Sequence, residues 1–95
     1  MKAKRDRLAI RYDILVCCRG KLLNQACLVQ KVNVNHDLFH EVSGELLKAG
    51  LLSVEDCGGQ RVYFASELGV CYVKHYAELV RLMGGSALYT AAFVR

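Results

Sequence analysis

Ninety-five residues make one domain with one modest core, and no run approaches the roughly 20 apolar residues that a membrane-spanning helix needs. An apolar fraction of 54% is high for a small soluble monomer, so part of that surface is expected to be buried against a partner. The net charge of +4 is unevenly spread: residues 1–21 hold seven Lys/Arg against two Asp, residues 22–56 two Lys against five acids, and residues 57–95 four Lys/Arg against two Glu. The basic character therefore belongs to the N-terminus.

The chain opens Met-Lys-Ala-Lys-Arg-Asp-Arg, with no apolar centre and no small-residue cleavage site behind it. This argues against a secretory signal and for a cytoplasmic protein. A first helix is predicted from about Lys4 to Arg19, with Leu8, Ile10, Ile14, Leu15 and Cys18 at helical spacing and Gly20 as its stop. A second runs from about Asn24, its candidate N-cap, to Lys31, and Lys31 to Val34 forms a turn. Asn35 is the expected N-cap of a third helix whose core face is Leu38, Phe39, Val42, Leu46 and Leu47, ending at Ala49-Gly50. Leu51 to Glu55 reads as a strand, residues 56–60 as a turn with two glycines suited to positive φ, and Arg61 to Phe64 as the return strand. Ser66 then caps the longest helix, about Glu67 to Met83, and Gly84-Gly85-Ser86 breaks it before an apolar tail.

Helix, glycine stop, strand, Gly-Gly turn, strand and helix cap is the order of the second half of a winged helix-turn-helix. The expected fold is thus α+β, mostly α, with a two-stranded wing. Residues 1–66 form the core, 67–83 a C-terminal dimerisation helix and 84–95 a tail of the same single domain. On a wheel of 100° per residue the last helix has an apolar arc of roughly 200°, wider than a surface helix needs. Tyr72, Tyr76, Leu79 and Met83, spaced 4-3-4, form a short coiled-coil-like seam for a homodimer. Lys74–Glu78 and Glu78–Arg81 are within pairing reach.

The chain resembles the small archaeal winged-helix DNA-binding proteins of the ten-kilodalton chromatin type. The matching stretches are Arg7 to Leu15, Asn33-Val34-Asn35-His36, Leu46 to Leu52 and Tyr63 to Gly69, which together fall within residues 7–83. The resemblance implies a winged helix, a dimer through an antiparallel C-terminal coiled coil, and duplex DNA as partner. Two features depart from it. Asp37, His40 and Glu41 stand on the third helix where members typically carry basic residues, and the last helix, at about 17 residues, spans only roughly 26 Å.

In a helix-turn-helix the start of the second helix of the motif enters the major groove. That places Asn35, His36, Asp37 and His40 near base edges. Asn can read adenine, while Asp37 and Glu41 oppose the phosphates. Affinity would then rest on Lys2, Lys4, Arg5, Arg7, Arg11 and Lys31, with Gln60 and Arg61 at the wing. His36-Asp37-Leu38-Phe39-His40 resembles the zinc-peptidase spacing H-E-x-x-H, but no third ligand is evident. Two surface histidines are the expectation, with no metal and no cofactor. No C-x-x-C pair occurs, so Cys17, Cys18, Cys27 and Cys71 are expected as small core side chains and Cys57 as an exposed thiol. No nucleophile–base–acid constellation or phosphate loop is present, and the reading is a non-enzymatic DNA-binding protein, a regulator or a chromatin-associated protein. The alternatives are a winged-helix protein-interaction module and a metal- or redox-responsive regulator.

Overall fold

The computed structural model describes residues 6–83 of the chain. Expectations placed on Lys2, Lys4, Arg5 and residues 84–95 lie outside the described residues. In order, the elements are α1 (Arg7–Cys17), β1 (Leu23–Asn24), α2 (Gln25–Val32), α3 (His36–Lys48), β2 (Leu52–Cys57), β3 (Gln60–Ala65) and α4 (Glu67–Leu82). The strands form an antiparallel sheet ordered β1-β3-β2. Mostly helical α+β with a β2–β3 wing after α3, this is winged helix-turn-helix architecture.

Capping chemistry sets the helix boundaries. The carboxylate of Asp6 accepts from the Ala9 N–H at 2.9 Å, so α1 starts at Arg7 and not at Lys4. Asn24, Asn35 and Ser66 are N-caps, as their positions predict, accepting from Cys27, Leu38 and Gly69 N–H at 2.8, 2.7 and 3.1 Å. Each cap satisfies an amide that the first helical turn would otherwise leave unpaired. Asn33 closes α2 in the left-handed region at φ 65°, where Asn is tolerated better than most side chains, and its N–H donates to Val29 O at 2.9 Å.

The wing turn is tighter than the sequence suggests. Asp56 pairs with Arg61 and Cys57 with Gln60, so only Gly58 and Gly59, both at positive φ (59° and 82°), remain in the turn. Two successive residues at positive φ suit a two-residue hairpin. The two-residue strand β1 was not predicted; it exists through tertiary pairing of Leu23 with Tyr63 and Asn24 with Val62.

The core is one cluster drawn from all four helices and the sheet, including Ile14, Leu15, Leu28, Phe39, Tyr63 and Val73. Phe39 meets Tyr63 edge-on at 5.7 Å between ring centroids, which ties α3 to the wing's root. Leu8, which shares the helical spacing of the α1 apolar residues, is 47% exposed, while Ala9 and Ile10 beside it are buried. Cys18 is a core side chain; its thiol donates to Ile14 O at 3.2 Å, and burial pushes its pKa up to about 12. Cys17 and Cys27 are half-buried, and burial also raises the Cys17 thiol. Cys71, expected inside, is exposed like Cys57. Gly69 and Val73 mark the buried face of α4, and Cys71 lies two residues from each, on the far side of the helix.

The start of α4 is seated on the turn that follows α3. Ser66 donates through Oγ to Gly50 O at 2.6 Å and through its N–H to Leu51 O at 3.0 Å. One turn on, a Cβ at Gly69 would lie 2.1 Å from the carbonyl oxygen of Leu51. Gly69 is required by this close approach, since the obstacle is backbone and cannot swing away. In an open helix Gly→Ala gains up to about 1 kcal/mol of propensity. Here Gly69→Ala is expected to destabilise the protein by about 2 kcal/mol, as overpacking does. Urea denaturation checks this: the midpoint should fall with little change in slope.

Candidate nucleic-acid interface

The first question for the site is where the acids of α3 point. Arg11 reaches Glu45 Oε1 through Nε at 3.1 Å and Nη2 at 2.8 Å. Arg7 places Nη1 2.8 Å from Glu45 Oε2 and joins Glu41 through Nη2. Glu41 and Glu45, four apart, thus lie along one side of α3 facing α1. The Arg11 hydrogen bonds, with the Arg7 charge beside them, hold the Glu45 carboxyl below the usual carboxylate range, and the same hydrogen bonds raise Arg11. All these side chains are 31–61% exposed, so solvent and salt screen the network.

With those acids turned to α1, the start of α3 presents a polar face. Asn35, His36, Asp37 and His40 are all exposed there. The Asn35 side-chain oxygen is committed to the cap, 2.7 Å from Leu38 N. His36 and His40 converge on Gln25, the first residue of α2: its Nε2 lies 3.1 Å from His36 Nδ1 and 3.4 Å from His40 Nε2. An amide nitrogen only donates, so this pairing requires the neutral tautomers that leave His36 Nδ1 and His40 Nε2 without a proton. Gln25 was not among the residues singled out from sequence. Its place directly after the Asn24 cap was visible, but its meeting with α3 depends on how the two helices cross.

The remaining expected contacts lie on α2 and on the wing. Lys31 is exposed on the last turn of α2. Gln60 and Arg61 are exposed on the wing, with the Arg61 guanidinium 5.9 Å from the Tyr63 ring centroid. Arg7 and Arg11, expected on phosphates, are instead engaged with Glu41 and Glu45. Among the described residues no group of three or more His, Cys, Asp or Glu side chains could hold a metal ion, and no helix is long and apolar enough to cross a membrane.

The four seam residues on α4 divide into two pairs. Tyr72 and Tyr76 are half-buried within the chain itself: Tyr76 meets Tyr12 of α1 at 4.8 Å between centroids and stacks parallel to Tyr72 at 6.3 Å. Tyr72 also lines a cavity of about 220 Å³ with Arg11, Glu45, Leu46, Ala49 and Leu51. Leu79 and Met83 are 56% and 65% exposed, with Leu82 beside them at 68%. Glu78 and Arg81 form the expected ion pair on the same helix.

No family model matches the chain, and no curated protein does. Two solved structures are similar to it in fold. Sso10a-2, described as a DNA-binding protein from Sulfolobus solfataricus, superposes with a TM-score of 0.76 at 22% identity, over 93% of this chain and 90% of that one. The protein smu.1704 from Streptococcus mutans UA159 superposes with a TM-score of 0.75 at 18% identity, over 87% of this chain and 86% of that one. At these identities the likeness is one of fold.

The α1–α3 network has a defined pH signature. Glu45 is depressed in the folded state, so its contribution to stability is full above the ordinary carboxylate value of 4.5 and is lost as pH falls through its lower folded value. Thermal melts between pH 7 and pH 2.5 should show the wild type losing stability on acidification more steeply than Glu45→Gln. Parallel curves for the two proteins would contradict the assignment.

Proposed function

We propose that this protein binds duplex DNA as a homodimer, serving as a transcriptional regulator or a chromatin-associated protein. The observation that carries this reading is the polar face of Gln25, His36 and His40 at the start of the second helix of the motif, with the neighbouring Glu41 and Glu45 drawn away to α1. The backbone N–H groups of that helix start favour phosphate. The likeness in fold to a protein described as DNA-binding supports the same reading.

In this mechanism the start of α3 enters a major groove and contributes selectivity. Lys31 and the wing residues Gln60 and Arg61 hold phosphates on either side, and Lys2, Lys4 and Arg5 supply a basic arm. Arg7 and Arg11 neutralise α3 and orient it, so they enter as supports of the reading helix. Asn35 positions the helix start through its cap, since a bidentate adenine contact would require the same oxygen. Leu79, Leu82 and Met83 on α4 supply the exposed part of the dimer seam, while Tyr72 and Tyr76 brace α4 against α1.

The test is fluorescence anisotropy with a labelled duplex over a range of salt. Neutralising five phosphates per chain, by Lys2, Lys4, Arg5, Lys31 and Arg61, is ten per dimer and gives a log–log slope of about −9. Lys31→Ala with Arg61→Ala removes four of these per dimer and should reduce that slope by about 4. Absence of binding at low salt would sink the reading.

A second reading is a winged-helix module for protein partners, favoured by one observation: Leu79, Leu82 and Met83 form an exposed apolar end on α4. Light scattering separates the uses of that surface. A homodimer has twice the 10.6 kDa chain mass, and Leu79→Lys with Met83→Lys should return it to one chain. A wild type that stays at 10.6 kDa at high micromolar concentration argues against the dimer.

A further inference from the structure

The reading above leaves the precise role of Gln25 open. Its amide nitrogen faces two acceptors, His36 Nδ1 and His40 Nε2, at 3.1 and 3.4 Å. Nitrogen and oxygen sit on the same carbon of a planar amide, so when one faces the histidines the other is turned from them. Residues 25, 36 and 40 come from both helices of the helix-turn-helix, at the end where α3 begins. Asn35, an amide side chain at the start of α3, spends its oxygen on its own cap.

We propose that Gln25 is a specificity-determining residue that reads a base edge in the major groove, and that the protonation of His36 and His40 sets which atom it presents. This rests on the DNA-binding reading and adds to it the residue and the chemistry of the contact. With both rings neutral, Nε2 donates to them and Oε1 is the outward atom. An outward acceptor matches the amino groups of adenine N6 and cytosine N4. A protonated ring has donors at both nitrogens. The Gln25 amide then meets N–H groups, which its NH2 cannot accept, and a half-turn about the Cγ–Cδ bond brings Oε1 to them. The outward atom becomes a donor, which matches guanine O6 and N7, thymine O4 or a phosphate oxygen. Histidine is the side chain whose charge ordinarily changes between pH 5 and 8.

The surroundings allow the exchange. Among the described residues, the charged groups beside the pair on α3 are Asp37 and Glu41, the latter held by Arg7 from α1. On α2 the group facing the pair is Gln25 itself, which is uncharged. Phe39 places its ring 6.2 Å from that of His40, near edge-on. Both histidines are exposed.

The experiment is selection from a pool of duplexes with a randomised centre, using the full chain at pH 7.5 and pH 5.5, with bound DNA sequenced and affinities measured by anisotropy. The wild type should enrich particular bases at one or two positions, and the enriched bases should change between the two pH values. Gln25→Ala and Gln25→Met should each lose that preference, with discrimination at the affected position falling about five- to tenfold. Their overall affinity should change less than threefold, because phosphate contacts dominate binding. His36→Ala with His40→Ala should abolish the pH-dependent change. Circular dichroism confirms that each variant is folded. Wild-type preference retained in both Gln25 variants would overturn the proposal, as would binding with no base preference at either pH; in both cases the DNA-binding reading stands. No binding at any pH and low salt removes that reading, and this inference with it.

Discussion

The structure depends on a backbone-to-backbone contact that leaves no room for a methyl group. Gly69 lets α4 lie directly on the Leu51 carbonyl, and Ser66 fastens the same turn through Gly50 O and Leu51 O. Four elements meet there. The end of α3, the start of β2, the end of β3 and the start of α4 are held within one hydrogen-bonded knot. The Ala65 N–H, donating to Cys18 O at 3.1 Å, extends that knot to the end of α1. The wing therefore leaves and returns at a fixed angle to α3, and α4 departs in a fixed direction. On the proposed function, α3 and the wing would act together, and contacts positioned by loose elements lose geometric selectivity.

Much of this was legible in the sequence because it is written locally. Asn24, Asn35 and Ser66 act within three residues of themselves, and the Gly58-Gly59 pair fixes its own turn. What was not legible depends on contacts between segments far apart. Strand β1 is two residues long and carries no periodicity; only its pairing with β3 makes it a strand. Arg7 and Arg11 looked like part of a basic arm, yet their partners stand 34–38 residues away. Composition shows the charges on α1 and α3 but not the rotation of one helix against the other. Leu8 shows the same limit for apolar residues, since it shares the helical spacing of the core residues of α1 and is still exposed.

The α1–α3 network also changes how the acids of α3 count. Counted along the sequence, Asp37, Glu41 and Glu45 make α3 hostile to a polyanion. Counted in space, Glu41 and Glu45 are matched by Arg7 and Arg11, and the pairs lie to one side of the helix. The field that a phosphate backbone would meet at the start of α3 comes mainly from Asp37, the histidines and the helix-start amides. The basic residues Arg7 and Arg11 thus stand against two of the acids of α3 in the folded chain. Net charge per segment is thus a poor guide here, because two oppositely charged segments are folded against one another.

The same reasoning bears on α4. Its apolar arc is too wide for one interface, and the structure divides it. Gly69 and Val73 face the core, and Tyr72 and Tyr76 lie against α1 and each other. Leu79, Leu82 and Met83 continue past the last of these contacts. A heptad-like spacing therefore marks a line of residues whose two ends have different neighbours: aromatic rings that brace the helix within the chain, then aliphatic side chains left at its surface. Solitary exposed leucines are ordinary, but three large apolar side chains within five residues at the end of a helix form a patch. A short helix of this kind cannot sustain a long coiled coil. An association through it would be confined to about one helical turn per chain plus whatever flanks it, and would place two copies of α3 at a separation set by α4's departure from the Gly69 contact.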